Sequence, residues 1–350
     1  MSHQDSDDRP LILGVAPRGL ARTQAESLAR SLVERKSTFP IHLEIIGEDD
    51  PDDTVLHDDH IAENRSEIRR LHRRLREGAI DTVIHRGFDL RGDVPDDLRI
   101  LAVLERGKPY EVLVSPHGET LDLLEDDARV GVVHLRTRAQ VMEYRPELAT
   151  ELIRGDAGDW LTSLIDGTVD ALVAPGAAIE QLGLHEQVSE IFPPEMLVPA
   201  AGAGVLLCLG RRDDDLTAAR LQALHDATTA AEYAAECSLL EALGGPWEMP
   251  IGALARSGGD RLVVYAVVAS PDGEHVLREE HVSAPDDPCS SGMEAAALLL
   301  ARGAQDVLGG TFEDDDDTEP CTIAGSLPSY DAEWEIDDED PDGGPETDPC

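Results

Sequence analysis

Short apolar strands alternating with amphipathic helices predict an α/β fold: two lobes with parallel-type sheets, followed by a small α+β domain. Three observations carry that prediction. Residues 11–109 alternate strand and helix patterns, and covering a sheet by helices on both faces is how such alternation packs. The same grammar recurs over 112–195, and a later apolar segment, Val198–Leu209, returns the chain to the first unit. After residue 210 the pattern changes to an Ala-rich helix, a hairpin and a last helix.

Each element has its own warrant. Leu11–Val15 is a continuous apolar run of strand length, and Ala21–Glu34 carries Ala21, Ala25, Leu28 and Leu32 at helical spacing. Ile41–Ile46 alternates apolar with polar residues. Glu48–His60 is polar and acidic and reads as a loop; Ser66–Glu77 turns Ile68, Leu71 and Leu75 inward as a helix. Asp81–His85 and Ile100–Leu104 are further strands. In the second unit, Arg129–Val133, Thr150–Ile153 and Ala171–Ala174 read as strands. Thr137–Arg145, Trp160–Asp166 and Ala177–Leu182 read as helices. Asp213–Leu243 reads as one helical segment. Arg261–Ser270 and His275–Val282 flank Pro271-Asp272-Gly273 as a hairpin, and Ser291–Leu308 is the last helix. The expected boundaries are 1–106 with 198–226 for the first lobe, 107–197 for the second and 227–310 for the third domain. The chain crosses between lobes near Leu104–Pro109 and Glu195–Pro199. Ligands in such folds sit at the carboxyl ends of the strands.

Composition narrows the class. The formal charge is −43. Residues 311–350 hold 16 of the 72 acids and no base, leaving 56 acids against 29 bases in the body. Such a surface repels nucleic acid and anionic membranes. It suits a high-salt cytoplasm, while the near absence of Lys (Lys36 and Lys108 only) also fits a GC-rich genome. Residues 311–350 read as a disordered acidic tail. The opening MSHQDSDDRP lacks the basic and apolar regions of a signal peptide, and the longest apolar run, Met196–Gly210, is short for a membrane span. Five scattered Cys give neither a disulfide framework nor a metal site. A cytoplasmic monomer without a metal is the expectation.

A dozen collinear phrases then resemble porphobilinogen deaminase, the hydroxymethylbilane synthase family. They include RPLILGVAPRGLARTQAE, IDTVIHRGFDL, ARVGVVHLRTRAQVMEYRPELATELIRG, VDALVAPGAAIEQLGL, VPAAGAG and GGPWEMPIGALA, with SPDG downstream. The resemblance spans about Leu11 to Leu308. It implies periplasmic-binding-protein-like lobes and a transferase of haem biosynthesis that joins four porphobilinogen units. It further implies a dipyrromethane cofactor held by a Cys of the third domain, an Asp that stabilises cationic intermediates, and Arg and Lys residues that bind carboxylates. The chemistry is reasonable in itself: cations need a fixed negative charge in a dry cleft, and carboxylates need guanidinium forks.

The resemblance also exposes departures. The family's cofactor loop reads Gly-Gly-Cys, or Gly-Gly-Gly-Cys, two residues before a Pro-Ile-Gly; set against GGPWEMPIG without a gap, Trp247 falls on the Cys, and an indole forms no thioether. Trp247 either lines the vacated cleft, stacking on a flat ligand, or packs against a lobe. Asp89 falls on the catalytic Asp, with Phe88 where the family has Lys; as a loop Asp at a strand end it would also simply cap a turn. Ala16 replaces a carboxylate-binding Arg, with Arg18 two residues away. Arg136 and Arg154 are retained, but Thr137 and Trp160 replace the second Arg of each phrase. Gln181, Ala203 and Cys237 replace further polar positions, while the glycines of the same motifs survive. Arg69 falls on a substrate-side Lys in the basic run Arg69, Arg70, Arg73, Arg74 and Arg76, which serves as an anion or partner site or as a solvated, ion-paired helix face.

Three readings remain open: a family member without pyrrole polymerisation that binds a small polycarboxylate or pyrrole, a divergent active synthase, and an interaction protein that uses the basic helix and acidic tail.

Overall fold

The computed structural model describes residues 9–15, 39–46, 60–88, 90, 94–155, 157–244, 249–270 and 272–309, with the side chains of 60–67 and of Gln181 left aside. The helix expected at Ala21–Glu34, residues 48–59 of the acidic loop, and the 311–350 tail lie outside them.

The first lobe begins with β1 (Leu11–Val15), β2 (Ile41–Ile45), α1 (His60–Arg76), β3 (Thr82–Arg86) and β4 (Leu98–Val103). The second contains β5 (Glu111–Val114), β6 (Arg129–Val132), α2 (Leu135–Tyr144), β7 (Ala149–Leu152), α3 (Ala157–Ile165), β8 (Ala171–Pro175), α4 (Gly176–Gln181) and β9 (Val188–Ile191). The chain then returns through β10 (Leu206–Arg211), α5 (Asp215–Leu221) and α6 (Ala227–Leu243). It finishes with β11 (Ile251–Gly258), β12 (Arg261–Ala269), β13 (Val276–Ser283), α7 (Pro288–Ala301) and α8 (Ala304–Val307).

The expectation of parallel-type sheets needs one correction. The first sheet has the order β2-β1-β3-β10-β4 and the second β7-β6-β8-β5-β9. β1 is parallel to β2 and β3, and β6 to β7 and β8, but β10 runs antiparallel to β3 and β4, and β5 antiparallel to β8 and β9. Both sheets are therefore mixed. The reversed strand in each is the first one made after the chain crosses from the other lobe. A chain arriving across the hinge enters the sheet from the end opposite to that used by a helix crossover. Alternation alone does not reveal this, because the reversed strands are as apolar as their neighbours. Pattern does not single out β5, β9 or β11: β5 and β9 have four residues each, and β11 follows a Gly- and Pro-rich stretch of sequence.

The expected single helix over Asp213–Leu243 is also divided. His225 adopts an extended backbone (φ −68°, ψ 125°) between α5 and α6. There Val103 N donates to His225 Nδ1 (3.2 Å) and Asp226 N donates to the Val103 carbonyl (2.8 Å). These hydrogen bonds to the end of β4 interrupt the helix, and Asp226 starts a new one by accepting from Thr229 N at 2.7 Å. The last helix is divided likewise, Gly303 in the left-handed region separating α7 from α8.

α6 joins the cores. Ala230, Tyr233 and Cys237 pack into the first lobe, while Ala235, Leu239 and Leu243 pack into the third domain. Its alanines allow close approach: a Cβ on Gly292 of α7 would stand 2.0 Å from the Ala235 carbonyl oxygen.

Candidate functional site

The structure fixes where the sequence-predicted residues stand relative to strand ends. Arg18 follows β1 by three residues, Asp89 follows β3 by three, Arg136 follows β6 by four, and Arg154 follows β7 by two. Of these, Arg136 and Arg154 are described, and both lie just beyond the carboxyl ends of parallel strands of the second lobe, where ligands bind in open α/β sheets. Arg18, Asp89 and Trp247 themselves lie outside the described residues. Arg69 is elsewhere, exposed on α1.

The turn that leads to Asp89 is held firmly. Gly87 N donates to the Val205 carbonyl (2.8 Å), and buried Tyr233 Oη donates to the Gly87 carbonyl (3.0 Å). A Cβ on Gly202 would meet the Gly87 carbonyl carbon at 2.6 Å, so two backbones touch here. Beneath this turn His85 Nε2 lies 3.1 Å from His72 Nε2, both rings buried and set edge to face. Burial, with Arg76 nearby, pushes the His72 pKa down to about 4, against a small upward pull from Asp97. His72 is therefore neutral at physiological pH.

Arg136 is 2% exposed. Its Nη2 donates to Glu111 Oε1 at 2.7 Å and its Nε to the Val198 carbonyl at 3.1 Å. Burial drives its pKa down, and Glu111 opposes the shift. Gln140, one turn on, clamps the same peptide: its Oε1 accepts from Val198 N (2.8 Å) and its Nε2 donates to the Val198 carbonyl (3.0 Å). The retained Arg thus pins the second interlobe crossing to α2. Glu111 Oε2 and Thr137 Oγ1 are buried without a hydrogen-bond partner among the described residues. Arg154 is exposed, and its guanidinium has no ion-pair or hydrogen-bond partner among them. Trp160 donates from Nε1 to the Gly155 carbonyl (3.1 Å) and packs on the core of the second lobe. The structure brings no two of Arg69, Arg136 and Arg154 into contact.

Arg74 and Arg76 of the basic run on α1 are ion-paired. Arg74 reaches Glu44 (2.8 Å) and Glu77 (3.5 Å), and Arg76 reaches Asp97 (2.5 Å); Arg70 is buried. The acids come mainly from β2 and the β4 approach rather than from the helix itself.

Sequence reasoning missed the strongest electrostatic feature. Glu236, fully buried on α6, accepts four hydrogen bonds. Oε1 takes Arg106 Nη1 (2.7 Å) and Ala255 N (2.8 Å), and Oε2 takes Arg106 Nη2 (3.2 Å) and Gly202 N (2.7 Å). Glu232, one turn earlier, meets Arg106 (3.4 Å), Arg256 (3.2 Å) and Ser257 N (2.7 Å). Burial opposes the charge on Arg106, yet Glu236 and then Glu232 more than offset it, so its pKa rises. Arg106 and Gly202 belong to the two interlobe crossings, which also bond to each other through Gly107 N and the Gly204 carbonyl (2.8 Å). One carboxylate therefore ties both crossings to the third domain. The available signal was Glu232 and Glu236, four residues apart on an Ala-rich helix, a buried stripe that demands a cation.

Among the described residues no group of three or more His, Cys, Asp or Glu forms a metal-binding arrangement, and no helix is long and apolar enough to cross a membrane.

Comparison with known proteins places this geometry. Residues 11–219 match the family described as porphobilinogen deaminase, dipyromethane cofactor binding domain, and residues 230–301 match porphobilinogen deaminase, C-terminal domain. The chain is similar to porphobilinogen deaminase of Rubrobacter xylanophilus, with 35% identity over 85% of this chain and 96% of that protein. It is also similar to porphobilinogen deaminase of Desulforudis audaxviator, with 38% identity over 69% of this chain and 78% of that protein. Among solved structures it is similar to the methionine-binding protein MetQ, with 16% identity over 61% of this chain and 89% of that one and a TM-score of 0.39. Two matched domains covering both lobes and the α+β unit, in order, assign the chain to the porphobilinogen deaminase family.

Proposed function

We propose that this family member serves tetrapyrrole biosynthesis without the covalently primed pyrrole polymerisation of the hydroxymethylbilane synthase reaction. The observation that carries the reading is Trp247. It stands where the resemblance puts the cofactor-bearing Cys, in the connection between Gly244 at the end of α6 and Met249 ahead of β11. A thioether needs a thiolate, which an indole does not provide.

The carboxylate-binding positions support the same reading. A polycarboxylate needs guanidinium groups that can turn toward it. Arg136 is buried and already paired with Glu111, and Thr137, Trp160 and Ala203 stand where the family has further polar groups. The residues present do not fit a covalently held dipyrromethane. What remains is a smaller capacity: Arg154, exposed and without a partner among the described residues, and the backbone at Gly87 and residues 202–204. A small polycarboxylate or a free pyrrole acid is the ligand class that these groups suit. The charge of −43 opposes nucleic-acid and anionic-membrane partners, and a cytoplasmic monomer is the working state.

The test is the intact mass of the folded protein before and after incubation with porphobilinogen, in low and in high salt, with linear-tetrapyrrole formation assayed in parallel. An unchanged mass and no turnover are expected. A pyrrole adduct or turnover overturns the reading in favour of a divergent synthase that uses Asp89 and an anchor other than residue 247.

A further inference from the structure

A groove of about 590 Å³ opens between the second lobe and the third domain. Met142 of α2, Val276 and Leu277 of β13, and Val307 of α8 line it, each only partly buried. Exposed Glu274 and His275 line it as well. Arg278, on the same strand, is held by Glu143 (2.8 Å) and Gln140 (3.1 Å), so the two units that form the groove are tied together. Val307 is also where the described chain nears its end, two residues before Gly309.

Forty-one residues follow from this edge. They hold 16 acids and no base, a composition that calls for few aromatics. Yet Phe312, Tyr330 and Trp334 are three of the chain's 4 Phe, 5 Tyr and 3 Trp. Tyr330-Asp331-Ala332-Glu333-Trp334-Glu335-Ile336 alternates apolar with acidic residues through seven positions. That period of two puts Tyr330, Ala332, Trp334 and Ile336 on one face of an extended segment and every acid on the other. A solvated acidic tail has no need of such a face; a groove that presents Met142, Val276, Leu277 and Val307 beside the acids Glu143 and Glu274 gives it an apolar seat.

We propose that residues 330–336 of the tail dock in the groove between α2 and the β12–β13 hairpin of the same molecule, apolar face inward. Reach is no obstacle. The 20 residues between Gly309 and Tyr330 span up to about 70 Å when extended, and the segment starts at the groove's own edge. Tethering sets an effective concentration on the order of millimolar, so a weak contact suffices. Charge sets the sign of its salt dependence. The docked acids face a body that is itself strongly negative, so low ionic strength opposes docking and high ionic strength favours it. An ion-paired tail would show the reverse.

Hydrogen–deuterium exchange on the full-length protein tests this, at about 0.1 M and 2 M KCl and at two protein concentrations. The expected result is exchange over 330–336 slowed roughly 10-fold or more in 2 M KCl, corresponding to a docked fraction of about nine in ten. The protection is independent of protein concentration. It is lost in W334S/I336S, which leaves the groove untouched, and in V307E, which leaves the tail untouched. Free exchange of 330–336 at both salt concentrations overturns the proposal. So does protection that grows with protein concentration, which assigns the groove to a second copy. Protection that survives V307E overturns the groove as the seat, provided that exchange elsewhere in the variant matches the parent.

Discussion

Replacing Glu236 by Gln keeps the shape of the side chain and removes one acceptor oxygen. In the structure each carboxylate oxygen takes one Arg106 N–H and one backbone N–H, from Ala255 or from Gly202. A Gln amide must turn its NH2 toward one of those pairs of donors. Two hydrogen bonds are lost, donors face donors, and Arg106 keeps only Glu232, at 3.4 Å, as a charged partner. Breaking a buried pair from one side costs about 3–5 kcal/mol, because the remaining charge stays desolvated. The assay is urea unfolding at pH 7, followed through the first transition. With a slope of about 3 kcal/mol/M for a chain of this size, the midpoint falls by roughly 1–1.7 M. The drop persists in 2 M KCl, since buried pairs are little screened. The control is Asp97→Asn, which removes the exposed partner of Arg76 and shifts stability by less than about 1 kcal/mol. A Glu236→Gln midpoint that differs from the parent by no more than the Asp97→Asn midpoint refutes the reasoning, because the carboxylate would then not be the tie between crossings and third domain.

The remaining predictions test packing, titration and the cofactor loop. Gly292→Ala sets a methyl against the Ala235 carbonyl, where 2.0 Å leaves no room, and forces α6 and α7 apart; thermal unfolding should show a loss of about 1–3 kcal/mol or more. His72 is depressed to about 4 from an ordinary 6.5, so the unfolded chain binds a proton that the fold does not. Its contribution is complete above pH 6.5 and is lost as pH falls toward 4, with a slope of up to about 1.4 kcal/mol per pH unit. In His72→Gln this part of the stability–pH curve flattens, as urea midpoints between pH 7 and 4.5 would show. Trp247→Cys restores a thiol at the attachment position; a pyrrole adduct detected by intact mass after porphobilinogen treatment is expected, and its absence places the block in the missing carboxylate contacts.

Much of the fold was legible in sequence because period and length are local properties. Leu11–Val15 was read with its observed bounds, and the helix containing Leu71 and Leu75 was read from their spacing, with both residues buried in the core. The phrases that carry the family resemblance were equally visible, since glycines such as Gly87 and Gly202 mark backbone contacts that tolerate no side chain. The departures at residues 137, 160, 203 and 247 were read from identity alone. Tertiary structure decided the rest. It reversed β5 and β10 within their sheets, because strand direction depends on which lobe the chain has just left. It turned Arg136 from a retained ligand position into a buried partner of Glu111, 25 residues away, and it gathered Arg106, Gly202 and Ala255 around Glu236. Charge pairing of that kind spans distant stretches of chain, and a sequence records only that the charges exist, not which of them meet.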